Sequence, residues 1–105
     1  MSMGASIVTY TVAPEHADEL QRRVQDHLLP AARQTHGYRG FLLLDQGDGK
    51  RLALVLFDSV DDVGPAQLAL TPVGRHTYAL MSGPALGSVG TVVVGDGIFT
   101  EPAKP

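Results

Sequence analysis

The chain has 105 residues and contains no cysteine, tryptophan or asparagine. Without cysteine there is no disulfide, no thiolate metal site and no thiol nucleophile; a reducing cytoplasm is the expected setting. Basic residues are few as well: eight Lys and Arg against eleven Asp and Glu, a formal net charge of −3. They are scattered, with no patch that would neutralise phosphates, so nucleic acid is not an expected partner. No apolar run approaches the ~18–20 residues that span a bilayer. The opening "MSMGAS" lacks the charged segment and long apolar stretch of a signal peptide. Neither membrane insertion nor export is therefore expected. The four histidines form no HxxxH or HExxH pair, so no dedicated metal site is expected. There is no GxSxG element and no P-loop; "GDGK" reads as a hairpin turn.

What the chain does have is apolar blocks punctuated by glycine and proline. "SIVTYTV" (6–12) is rich in β-branched residues and reads as a strand. Pro14, Glu15, Asp18 and Glu19 suit a helix start. Ala17, Leu20, Val24, Leu28 and Ala31 then recur every three or four residues as one helical face. Pro30 should kink this helix and Gly37 should end it. "FLLLDQ" (41–46) and "RLALVLF" (51–57) flank Asp48-Gly49 and read as an antiparallel hairpin. Ser59 is a candidate N-cap, with Asp61 and Asp62 in the first turn. The helical stretch that follows, 60–81, is cut by Gly64-Pro65 and Pro72, which predicts two short helices or one bent one. "SVGTVVV" (88–94) reads as the last strand, "IFT" (98–100) as a short added one, and 100–105 as a loose tail. The order is β-α-β-β-α-β: an α+β, ferredoxin-like domain over 1–105, with a four-stranded antiparallel sheet and both helices on one face.

Two helices cover one face of such a sheet. A solvated second face would show alternation of apolar and polar residues. "FLLL", "LALVLF" and much of "TVVV" are apolar on both faces. The far face therefore needs cover, and the simplest cover is a second copy on a two-fold axis. A homodimer is expected, its two sheets enclosing an apolar interior.

Three stretches carry a resemblance: the first strand with "VAPEHADEL", then "LLPAARQTHGYRGFLLL", then "LVLFDSVDDV". Over about 7–94 the chain resembles the antibiotic biosynthesis monooxygenase family, within the dimeric α+β barrel superfamily. "HGYRGF" (36–41) stands where that family has a "PGF.G"-like element, and Phe57-Asp58-Ser59 where its third strand commonly ends in tryptophan, a polar residue and serine. The resemblance implies a homodimeric barrel with a small pocket per subunit between sheet and helices. Some members are cofactor-free oxygenases that turn phenolic aromatics into quinones; others degrade haem.

His76 follows Phe57 by nineteen residues. In haem-degrading members a helix histidine at about that distance ligates the iron. Those enzymes also use an asparagine on the first strand and a tryptophan on the second helix, and this chain has neither. No cofactor is therefore expected, haem being the one group the resemblance could bring. Val73, His76 and Leu80 share a helical face, which predicts an inward imidazole. It is a candidate general base or a packed histidine satisfied by a backbone carbonyl. Tyr10, Tyr38 and Phe57 are the candidate substrate contacts, Tyr10 because it shares a strand face with Val8 and Val12. Tyr78 is expected at a surface or subunit contact. The activity implied is oxygenation of an aromatic, phenolic small molecule in an apolar pocket. The other reading is a non-catalytic dimer that binds a small apolar ligand or a partner.

Overall fold

A computed structural model describes residues 2–97. Expectations for "IFT" and the tail at 100–105 fall outside the described residues. The first strand, β1, runs Gly4–Thr11. Helix α1, Pro14–Arg23, passes through a π-helical turn, Val24–Leu28, into a short helix α2, Leu29–Ala32. Strands β2, Tyr38–Gly47, and β3, Lys50–Phe57, form the hairpin. A 3₁₀ turn, Val60–Asp62, leads into α3, Val63–Tyr78, and β4, Leu86–Thr91, closes the order. The sheet is antiparallel, in the order β2-β3-β1-β4. This is the expected α+β arrangement, and no helix among the described residues is long and apolar enough to cross a membrane.

Each departure has a local cause. Pro30 has no N–H to donate back to Asp26, and the helix answers with a π turn just before it, where the Leu29 N–H reaches the carbonyl of Val24. Gly37 does not end the helix. The chain unwinds after Ala32 through bonds from Gln34 to Ala31 and from Thr35 to Ala32, and Gly37 (φ 79°) then turns it into β2. Of the two expected forms the chain takes the continuous one: α3 is one helix of 16 residues, not two pieces. Pro65 lies in its first turn, where no N–H is needed, and Pro72 is carried inside. Ser59 caps as expected, its hydroxyl accepting from the Asp61 N–H at 3.2 Å. The last strand ends at Thr91, and Val93 and Val94 stand exposed beyond it.

Strand pleating assigns the faces. Val8 and Tyr10 on β1, Val12 just beyond its end, and Ala53, Val55 and Phe57 on β3 look toward the helices. Register pairs Leu42 with Leu54, Leu44 with Leu52, and Ile7 with Leu54 on the opposite face. There Leu42, Leu44 and Leu86 are exposed large hydrophobics. The two-sided apolar sheet read from the sequence is present. The helix-side core has two parts: Tyr10, Val12, Leu20 and Val24 at one end, and Phe57, Val63 and Ala66 at the other.

The hairpin turn places Asp48 at φ 54° and Gly49 at φ 77°, the paired positive φ of the tight turn that suits strand twist. A Cβ at Gly49 would lie 2.5 Å from the Val12 carbonyl oxygen, while the Val12 N–H donates to the Gly49 carbonyl at 2.9 Å. Gly49→Val should therefore lower the unfolding free energy by ~1–3 kcal/mol, measured by urea denaturation.

Candidate functional site

A cavity of about 240 Å³ lies between the sheet and the helices. Its floor is Val8, Tyr10, Phe41, Leu43, Ala53 and Val55; its walls are Leu20, Val24 and Leu28 on the first helical arm and Leu70, Thr71, Gly74 and Thr77 on α3. The hollow exists because small residues stand where large ones would fill it. Gly74 is buried, and the Tyr78 ring lies 3.3 Å from where its Cβ would be. Tyr78, half exposed, thus closes the side of the cavity rather than lying apart from it.

Polar groups are few. Thr77 is buried and satisfied, its hydroxyl donating to the Gly74 carbonyl at 2.7 Å. The Gln67 amide donates to the Ser6 hydroxyl at 3.2 Å, linking α3 to β1. Tyr10 is 6% exposed, and its hydroxyl has no hydrogen-bond partner. Directly across the ladder stands Arg51. Its side chain is 11% exposed, its Nη2 lies 3.6 Å from Asp45, and its Nε is also buried without a partner. Leaving such a group unpaired costs ~1–3 kcal/mol, so both orphans, Tyr10 on the cavity and Arg51 in the hollows beside it, are functional suspects. Burial pushes the Tyr10 phenol above the usual tyrosine value, against the opposing pull of the Arg51 charge.

The sequence-based candidates separate. Tyr10 lies on the cavity. Phe57 is fully buried in the second core cluster, against Val63 and Ala66, and does not line the cavity. Tyr38 is partly buried at the start of β2, also off it. His76 is exposed and points away from the cavity. It borders an open outer cleft between α1 and α3 with Glu19, Arg22, Arg23, Asp26 and His27. There Arg22 and Arg23 both pair with Glu19 and hold its carboxyl below the usual carboxylate range, and the Arg23 guanidinium donates to the His76 carbonyl at 2.7 Å. The inward reading of His76 failed because α3 faces the sheet through Val63, Ala66, Gly74 and Thr77. That stripe is small and partly polar; Val73 and Leu80 are only partly buried, Leu80 against the core, while His76 between them is exposed. Sequence reasoning also missed Arg51. The signal was available: Arg51, Ala53, Val55 and Phe57 share a strand face, and a lone guanidinium heads an apolar row.

No family model matches the sequence, and no curated protein matches it significantly. Solved structures do match. The Rv0793 protein of Mycobacterium tuberculosis is 16% identical, the match covers 91% of this chain and all of that one, and the TM-score is 0.73. A candidate antibiotic biosynthesis monooxygenase from Caulobacter crescentus is 18% identical over 89% of this chain and 92% of its own, with a TM-score of 0.73. SnoaB from Streptomyces nogalater, a cofactor-independent oxygenase solved as a point mutant, is 16% identical over 90% of this chain and 97% of its own, with a TM-score of 0.70.

The fold is that of the antibiotic biosynthesis monooxygenases. Within that fold this chain does not fit haem. His76, the imidazole for which the resemblance suggests an iron-binding position, opens onto the outer cleft, and no histidine lines the cavity. Nor do three His, Asp or Glu residues gather as metal ligands among the described residues.

The raised Tyr10 value has a measurable sign. The folded protein holds the phenolic proton more tightly than the unfolded chain. The associated stability is complete below the unfolded tyrosine value of 10.0 and is lost as pH rises through the folded value. In an ultraviolet pH titration, one tyrosine should ionise later than the others, and Tyr10→Phe should abolish that late step.

Proposed function

We propose that the cavity binds a small aromatic, phenolic molecule and that the chain, as a homodimer joined through its leucine-rich sheet face, oxidises that molecule with dioxygen and without a cofactor. The observation that carries this reading is the apolar cavity between sheet and helices with one buried phenol on its floor. The likeness to SnoaB, named as a cofactor-independent oxygenase, supports it. In such a reaction a ring C–H of the phenol becomes a carbonyl. One dioxygen atom enters the product and the other leaves as water, so the substrate supplies all the electrons. The electron-rich form is the substrate anion. The cavity offers shape and dryness to that anion but no carboxylate or imidazole to generate it.

That last point favours a second reading, a binding dimer without catalysis. Oxygen uptake separates the two. Titration of polyphenolic aromatics in an oxygen electrode should consume one dioxygen per quinone formed; binding without uptake would leave the binding dimer. His76→Ala should change kcat/KM less than about threefold, whereas a general base at that position would make the loss ~100-fold.

The dimer rests on Leu42, Leu44 and Leu86, apolar surface that monomers rarely leave uncovered. Sedimentation should give twice the chain mass for the wild type. A Leu44→Lys, Leu54→Lys double variant should sediment as a folded monomer, since both changes place charge on the far face of the sheet.

A further inference from the structure

We infer that the ligand of the cavity carries an anionic oxygen, a carboxylate or a phenolate, held between the Tyr10 hydroxyl and the Arg51 Nε. This rests on the cavity reading above. Tyr10 and Arg51 are register partners on β1 and β3, so their side chains leave the sheet on the same face. Both are about nine-tenths buried, and both end in a donor with nothing to donate to. A guanidinium cannot shed its charge, and a buried phenol beside it stays protonated at neutral pH. Together they present two donors and one positive charge side by side on the strand pair, Tyr10 on the apolar cavity and Arg51 in the hollow adjoining it.

Among the described residues the counterion of Arg51 is Asp45, and the pairing is incomplete. Asp45 lies 3.6 Å from Nη2, but its carboxylate is largely exposed and also accepts from the Gly47 N–H at 2.9 Å. Nε, on the inner side of the same guanidinium, is left unused. Arg51 does not line the main cavity but borders two hollows beside it: one with Gln21, Gln25 and Asp45 beneath the first helical arm, about 280 Å³, which shares Val24, Phe41 and Leu43 with the cavity, and one at the sheet end with Lys50, which shares Tyr10 with it. Tyr10 thus faces both the main cavity and the sheet-end hollow, and Arg51 stands in that adjoining hollow. An oxyanion placed there would satisfy both and leave an attached ring over Val8 and Leu43.

The test compares ligands that differ in charge but not in shape. Affinities of 2-naphthoate and 2-naphthamide are measured by calorimetry for the wild type, Arg51→Gln and Tyr10→Phe. 4-Nitrophenol is titrated spectrophotometrically as the phenolate arm. The wild type should prefer the carboxylate at least tenfold, or should lower the apparent ionisation pH of bound 4-nitrophenol. A response in one arm alone identifies which oxyanion the site takes. Either preference should collapse in Arg51→Gln and weaken in the isosteric Tyr10→Phe, with both variants keeping the wild-type far-UV spectrum. The ratio of the two affinities is read within each variant, so a general loss of packing does not imitate the result. Binding of the amide as tightly as the carboxylate, with no shift for nitrophenol, would overturn this inference and leave the cavity reading standing. A preference that survives Arg51→Gln would also overturn it. Failure of every aromatic to bind the wild type would overturn both.

Discussion

The controlling constraint is a four-stranded sheet that is apolar on both faces while the chain supplies helices for only one. Alternation along β2 and β3 is lost in "FLLL" and "LALVLF", and the register stacks Leu42, Leu54 and Ile7 across three strands on the uncovered side. Exposed leucine at that density disfavours a lone subunit. The same constraint shapes the covered side. Because α3 meets the sheet through Ala66, Gly74 and Thr77, the layer between them is thin in side-chain volume, and the space that remains is the cavity. A leucine at Gly74 would fill it, at the expense of the Tyr78 ring that now closes one side.

How much of this was legible in the sequence depended on how strong each pattern was. β-Branched strands, the Asp48-Gly49 turn and the Ser59 cap are short-range signals, and all three hold. The topology follows from their order. The first helical arm was legible because Leu20 and Val24 are large and apolar at helical spacing, and both are buried. The orientation of α3 was not legible. Its inward residues are small, while Leu68 on its outside is 79% exposed, so apolar residues do not mark the buried stripe. That single rotation moved His76 out of the site. The prolines left two forms open: Pro65 and Pro72 look like breaks, yet one sits in a first turn and the other is accommodated within a single helix.

Strand faces are more reliable than helix faces in this chain, since a period of two leaves little room for error. Tyr10 was placed correctly by that rule. Arg51 could have been placed by it too, as the polar head of the Ala53, Val55, Phe57 row. It was overlooked because a charged residue next to a turn is ordinarily solvated. What distinguishes Arg51 is tertiary: its side chain is 11% exposed, and it shares a hollow with Gln21, Val24 and Gln25 of the first helical arm.

The site and its missing base then fit one account. General-base catalysis requires a group within reach of the proton to be removed, and the residues around the cavity include no group that ionises near neutrality. A site that instead binds its ligand as an anion has no such requirement, because the proton is lost before or during entry and a fixed positive charge favours the ionised form. Arg51 provides that charge in a setting where solvent screens it little, and Tyr10 adds a donor that burial keeps protonated. The electrostatics of the strand pair would then do the work the helix histidine was expected to do. The two orphaned donors stand on β1 and β3, the two central strands of the sheet.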